Sequence, residues 1–214
     1  MKLGLFGYGK MGKKVEEQAL LRGHEISCRI NSAGKAGLPT HPPDLFIDFS
    51  RPDAVLDNIQ TAARLKTNLV IGTTGWQQHI PLAKEITEKE KIGILFAPNF
   101  SFGIYLFSKL AAEAAKLFAD YQITGIETHH KQKLDAPSGT AKMLSQACGK
   151  QVSFTSIREG EVPGIHTLVF DGPIDTITLT HEAKNRDGFA RGAVIAAEWL
   201  QGKSGFYTLE EMLG

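Results

Sequence analysis

The chain has 214 residues, 42% of them hydrophobic, with 24 Lys and Arg against 23 Asp and Glu. That length accommodates one large domain or two modest ones with a buried core. The balanced charge gives no global field toward nucleic acid or a membrane surface. Two cysteines, Cys28 and Cys148, lie far apart and read as buried thiols of a reducing compartment, with no disulfide framework and no metal-ligand spacing. The opening MKLGLFGYG is too short and glycine-broken for a secretory h-region. No apolar run approaches the roughly 18 residues of a membrane span, so the expectation is a soluble, cytoplasmic protein.

In chain order, Lys2 to Phe6 reads as a short buried strand ending in glycines. Met11, Val15 and Ala19 then fall on one helical face, with Gly23 as the C-cap signal. HEISCRI is a second strand and Asp44 to Phe49 a third. A helix follows, opened by Pro52 and Asp53, with Val55, Ile59 and Ala63 on one face. NLVIG is a fourth strand, PLAKEITEKEK a helix and IGILFAP a fifth strand. Strands alternating with helices of about three turns specify a parallel sheet with helices on both faces.

After Pro98 the pattern changes. Phe107, Leu110, Ala114, Leu117 and Tyr121 form an apolar helical stripe expected to be core. Extended runs follow at 122–128, 151–157, 166–170 and 176–180. The last three alternate apolar and polar residues, as in an antiparallel or mixed sheet with one open face. A helix over 138–149 interrupts them, and helical spacing returns over 189–200. The fold class is therefore α/β: a Rossmann-like doubly wound domain of residues 1–98 and 187–214, plus a smaller α+β domain of residues 99–186 with a mixed sheet.

GLFGYGKMGKK sets Gly7, Gly9 and Gly12 in G-x-G-x-x-G spacing between a strand and a helix. There the glycines allow a tight turn, backbone approach to a pyrophosphate and close helix packing, and the helix N-terminus offers N–H groups to phosphate. Tyr8, Lys10 and Met11 share the loop. An acidic ribose ligand about 20 residues on is missing. The second strand instead ends SCRINSAGK, with Arg29, Asn31 and Lys35. Cations there suit the extra phosphate of NADPH, although Arg29 and Lys35 could equally be ordinary surface charges. IDFSRPD and IGTTGW fall where strands of such a sheet end, the usual ligand position of open α/β sheets.

The stretch ETHHKQKLDAPSGTA, Glu127 to Ala141, gathers His129, His130 and Lys133 just before a helix start. Residues alternate faces along a strand, so the two histidines should not share one role. A metal site would need a third ligand, and His166 or His181 would have to be brought by folding. Acid–base chemistry fits better: histidine titrates near neutrality, and a lysine can hold an anion or give up a proton. Pro137 near the first helical position, with Ser138, Gly139 and Thr140 in the first turn, offers a carboxylate cradle. Together these residues describe a pocket for a small carboxylate that is protonated during reaction.

The same fifteen residues closely resemble the signature of the 4-hydroxy-tetrahydrodipicolinate reductase family, long called dihydrodipicolinate reductase, E-x-H-H-x-x-K-x-D-A-P-S-G-T-A. GYGKMG, IDFSRPD, IGTTGW, APNFSFGI and RDGFARGAVIAAEWL look like family segments in family order. The resemblance implies NADH- or NADPH-dependent reduction of a cyclic dicarboxylate in the diaminopimelate route to lysine. It implies His129 as catalytic acid/base, Lys133 as proton donor, and His130, Lys133, Ser138, Gly139 and Thr140 as substrate-carboxylate ligands. For the cofactor it implies Gly7, Gly12, Phe49, Ser50, Arg51, Gly72, Thr73, Thr74, Ala97, Asn99, Phe100 and, from the terminal segment, Phe189. It also implies a homotetramer built through the sheets of the second domain. Hydride transfer would then require the two lobes to close until donor and acceptor stand about 3–3.5 Å apart, which also excludes water. Two other readings share the glycine loop. One is a different two-domain NAD(P) reductase of amino or imino dicarboxylic acids, which has no need of the His-His-x-x-Lys run. The other is a nucleotide-sensing binding module, which has no need of an intact His129 and Lys133.

Overall fold

Runs of four or five apolar residues have no polar face to give to water, and in this fold they become the central strands of a sheet. In the computed structural model of the protein, which describes residues 1–31 and 41–214, two units are formed: Met1–Phe100 with Phe189–Gly214, and Ser101–Gly188. In the first, β1 (Lys2–Phe6), β3 (Leu45–Asp48), β4 (Asn68–Ile71) and β5 (Gly93–Phe96) are buried almost throughout. They are flanked by β2 (Glu25–Ile30) on one edge and β10 (Gly205–Thr208) on the other. The order is β10-β5-β4-β3-β1-β2, with every pair parallel. The crossovers carry α1 (Lys10–Leu21), α2 (Val55–Arg64) and α3 (Ile80–Glu90).

Strand order reverses between β1 and β3, which opens a crevice at their carboxyl ends. Gly7 and Gly12 make this corner possible. Gly7 has φ +85°, and a Cβ there would stand 2.3 Å from the Phe49 carbonyl oxygen. A Cβ on Gly12 would stand 2.2 Å from the carbonyl oxygen of Gly7. Turn and helix therefore meet backbone to backbone, as the third glycine of such a loop requires.

The second unit contains α4 (Phe102–Leu117), β6 (Gln122–His129), α5 (Gly139–Ala147), β7 (Ser153–Arg158), β8 (Ile165–Asp171) and β9 (Thr176–Glu182). The strands lie in the order β7-β6-β8-β9, with β6 and β7 parallel and the other pairs antiparallel. Alternating burial along β8 reflects a sheet covered on one face. Phe107, Ala111, Ala114 and Ala115 of α4 and Leu144 of α5 join Leu168 and Phe170 in one core.

The apolar stripe expected on the first of these helices needs correction. Leu110 and Leu117 are 53% and 77% exposed, and Tyr121 lies beyond the helix end. The buried face instead runs through Ile104, Phe107, Ala111, Ala114 and Ala115. Small alanines let α4 lie close to the sheet, and the leucines face away from it. The chain ends with α6 (Asp187–Leu200) and, after β10, α7 (Leu209–Leu213), which opens with a Thr208–Glu211 capping box. β10 and α7 have no counterpart in the sequence reading: four residues are too few to show a period.

Replacing Gly12 by Ala forces backbone apart and is expected to destabilise the first unit by about 1–3 kcal/mol. Gly9→Ala, where a Cβ would meet nothing within 4 Å, should shift the urea midpoint far less. Equal midpoint shifts for the two variants would contradict this account of the turn.

Candidate active site

In the first unit, the crevice at the strand ends holds a cavity of about 410 Å³ lined by Gly7, Tyr8, Gly9, Phe49, Ser50 and Arg51, among others. A second cleft of about 320 Å³ is lined by Met11, Phe49, Ser50, Gly72, Thr73 and Thr74. The shared residues Phe49 and Ser50 make the two an extended track across the ends of β1, β3 and β4. One buried carboxylate shapes it. Asp48, the last residue of β3, accepts hydrogen bonds from the Ser50 N–H (2.8 Å), Asn58 Nδ2 (2.8 Å) and Thr73 Oγ1 (2.9 Å). Burial raises the Asp48 pKa, and these hydrogen bonds oppose the rise.

Arg29, at the end of β2, is bound through its guanidinium to Glu16 of α1, with Nε 2.8 Å from Oε2, and lies 5.5 Å from the centroid of the Tyr8 ring. The hydrogen bond from Arg29 lowers the Glu16 carboxyl, against the opposing effect of burial. Lys35 lies outside the described residues. Lys10 is exposed at the start of α1, and Gly12 is buried one turn in. Ala97, Asn99, Phe100 and Phe189 lie outside the lining of both cavities. Phe100 is buried and packs edge-on against the Phe49 ring, 6.3 Å between centroids, so it supports a lining residue.

In the second unit, β6 ends at His129. The ring of His129 is buried, whereas His130, outside the strand, is half-buried, so the two occupy different settings. Glu127, two residues earlier on the same face, is fully buried. Its Oε2 is 2.8 Å from His129 Nδ1, at an angle too bent to make a full hydrogen bond. Burial pushes the Glu127 carboxyl up, but hydrogen bonds from Ser138, Ser156 and Arg158 outweigh it and hold the pKa at about 2. Burial lowers the His129 pKa; Glu127 opposes this, and Lys133 and Arg158 add to it. His166, brought from β8, packs edge-on against His129 at 5.0 Å between centroids. Burial, with the nearby His129, holds His166 at about 3.

Lys133 Nζ is 2.6 Å from Asp135 Oδ1. Burial raises the Asp135 carboxyl, but its contacts with Lys133 and with the backbone N–H of Gly139 leave it lowered overall. Pro137 lies before the helix and not at its first position. Ser138 is the N-cap, its hydroxyl accepting from the Ala141 N–H, and α5 begins at Gly139. The expected cradle is correspondingly smaller. The Ser138 N–H donates to Glu127 Oε1 (3.0 Å), and its hydroxyl lies 3.3 Å from His166 Nε2. Ser138 is thus committed within the protein, and Gly139 and Thr140 carry the first turn.

Folding does supply the third group that a metal reading lacked: ligand atoms of Glu127, His129 and His166 lie within 4.8 Å of one another. The guanidinium on the same carboxylate, with Lys133 acting on the same ring, opposes a divalent cation there. Sequence reasoning also gave no role to Asp48 or Arg158, weighed His166 only as a metal ligand that folding would have to bring, and took Glu127 only as the first letter of a motif. A charged residue closing an otherwise apolar strand was the available signal for Asp48. Arg158 and His166 reach the site only through strand pairing.

Comparison with known proteins bears directly on this arrangement. Residues 1–100 match the family described as dihydrodipicolinate reductase, N-terminus, and residues 103–213 match its C-terminus. The 4-hydroxy-tetrahydrodipicolinate reductase of Christiangramia forsetii is 38% identical, with 100% of this chain and 98% of that protein covered. That of Methanosarcina mazei is 35% identical, with 98% and 88% covered. The structure of dipicolinate-bound dihydrodipicolinate reductase from Paenisporosarcina sp. TG-14 superposes with a TM-score of 0.79 at 23% identity, covering 97% of each chain. The chain is accordingly an oxidoreductase built on a nucleotide-binding fold. It belongs to the dihydrodipicolinate reductase family.

His166 gives the stability of the second unit a pH dependence of known sign. Its folded-state pKa, about 3, lies below the roughly 6.5 of an unfolded histidine. As pH falls, the unfolded chain takes the proton first. The stabilisation is complete above about pH 6.5 and is lost progressively toward pH 3, at about 1.4 kcal/mol per pH unit in mid-window. Urea unfolding from pH 7 to 4 should show this slope, and His166→Gln should reduce it by about one proton. An unchanged slope in the variant would place the effect elsewhere.

Proposed function

We propose that the protein reduces 4-hydroxy-tetrahydrodipicolinate to tetrahydrodipicolinate with NADPH or NADH, in the diaminopimelate route to lysine. Besides family membership, one observation carries this reading: Lys133 and the Gly139 N–H already converge on a carboxylate, that of Asp135. A substrate carboxylate replacing Asp135 meets a lysine ammonium, the first turn of α5 with Thr140, and His130 nearby in sequence. The dipicolinate in the Paenisporosarcina relative is a ligand of this class.

In the reaction the hydroxylated ring carbon loses water and receives hydride from the nicotinamide, while the adjacent carbon receives a proton. Substrate, NAD(P)H and one proton thus give product, NAD(P)⁺ and water. Lys133 or His129 supplies that proton; the first is half-buried and the second buried. The nicotinamide carbon must come within about 3–3.5 Å of the ring carbon. The glycine loop, Phe49 to Arg51 and Gly72 to Thr74 hold the dinucleotide along the track described above. Assembly as a homotetramer through the open face of the second sheet belongs to the same reading.

Reduced-nicotinamide absorbance should fall when the protein is mixed with aspartate semialdehyde, pyruvate and the preceding synthase; no fall above the synthase-only control would refute the reading. Lys133→Ala should lower kcat by about 10²–10⁴-fold with the dissociation constant for NADPH unchanged, and undiminished turnover would remove Lys133 from the chemistry. Arg29, shared between Glu16 and a 2′-phosphate, makes NADPH an accepted cofactor. Arg29→Ala should reduce kcat/KM about tenfold for NADPH and leave NADH unaffected. Equal losses with both would show that Arg29 does not read the phosphate.

A further inference from the structure

Glu127 Oε1 accepts hydrogen bonds from the Ser138 N–H (3.0 Å), Ser156 Oγ (2.7 Å) and the Arg158 guanidinium (2.9 Å). The same guanidinium reaches on to the loop after β6. It donates to the Asp135 carbonyl (2.6 Å) and the Lys133 carbonyl (3.3 Å), and its third nitrogen donates to the Ile157 carbonyl (2.8 Å). One carboxylate therefore joins three things: the ring of His129 through Oε2, the N-cap of α5, and, by way of Arg158, the backbone carrying Lys133.

We infer that Glu127 and Arg158 are a positioning pair for proton transfer, Glu127 selecting the tautomer of His129 and Arg158 holding the Lys133 loop in place. This rests on the roles of His129 and Lys133 proposed above. The chemistry of the donors decides the tautomer. An ionised carboxylate can only accept hydrogen bonds, so the His129 nitrogen 2.8 Å from it must carry the proton. Nε2 is left with the lone pair. It can take a proton from solvent, give it to the substrate carbon, and return to its starting state with Nδ1–H unchanged throughout. Catalytic contacts that are bent in the free enzyme straighten when substrate is held.

The surroundings leave the ring little freedom. It is faced by Glu127 on its own strand, Arg158 on β7, His166 on β8 and Lys133 and Asp135 on the loop, and His181 of β9 acts on His166 in turn. Gly164 packs on the Nε2 side, where a Cβ would lie 3.1 Å from that nitrogen. A hydrophobic pair of the same volume could be as stable as a buried ion pair. It could neither orient an imidazole nor accept from the cap.

The first experiment needs no turnover. Nitrogen-15 NMR of the histidine-labelled wild-type protein should show His129 as the Nδ1–H tautomer with a bare Nε2; the Nε2–H tautomer would overturn the assignment of Glu127. That result stands whichever substrate the enzyme reduces, so its failure is separable from failure of the functional reading. The second is Glu127→Gln, whose amide N–H can donate to Nδ1 and reverse the tautomer. The expected result is a kcat loss of about 10²-fold or more, with NADPH affinity unchanged and the His129 limb of the kcat–pH profile displaced. Arg158→Lys keeps the charge but loses the fork and should raise KM for the dicarboxylate along with its loss of kcat. Folded variants with wild-type kcat, KM and pH profile would refute the pair. Should Glu127→Gln fail to fold, the wild-type spectrum and Arg158→Lys decide.

Discussion

A carboxylate sealed from water must find all of its hydrogen bonds inside the protein or lose its charge. Glu127 finds three on Oε1, from the Ser138 N–H, Ser156 and Arg158, with Oε2 set 2.8 Å from His129 Nδ1 at a bent angle, and much of the candidate site in the second unit follows from how. Its neighbours on β7 come within reach because β6 and β7 run parallel in register, setting Glu127 opposite Ser156. The N-cap of α5 comes within reach because the chain turns back on itself after Lys133. Had the carboxylate been exposed, the loop, the helix start and the histidine ring would each need a separate anchor. Sharing one anchor couples their positions.

The first unit uses the same device. Asp48 closes β3 and draws in the Ser50 amide, Asn58 from α2 and Thr73 from beyond β4. The two segments that line the extended track in the first unit are thus held to each other by a buried acid beneath them. The units differ in the fate of the charge. Asp48 has neutral donors only, and burial raises its pKa. Glu127 has a guanidinium as well and stays ionised far below neutrality. The charged form is retained beside the His129 ring.

Much of this fold was legible in the sequence because its signals are local. Apolar runs, helical spacing and the glycine loop each report on neighbours within a few residues, and the strand-helix alternation did specify the doubly wound sheet. Legibility failed where the deciding partner is remote in the chain. Arg158 and His166 lie 31 and 39 residues from Glu127, and nothing local marks either as part of the site. Leu110 and Leu117 failed for the opposite reason: their spacing is helical, but only one sector of α4 meets the sheet. Ser138 was expected to hold substrate, and the structure shows its N–H bound to Glu127 and its hydroxyl to the Ala141 N–H and beside His166, contacts that no local signal announces.

The Asp135 carboxylate resting on Lys133 and the first turn of α5 has a bearing on selectivity. Under the proposed function, ligand entry there exchanges one anion for another, so the lysine's charge is not left bare and a lone acid group gains little by the trade. A rigid molecule carrying two such groups recovers the difference through its second attachment. Under the same proposed function, the arrangement favours two-headed acids over single-headed ones without any wall shaped to exclude the latter.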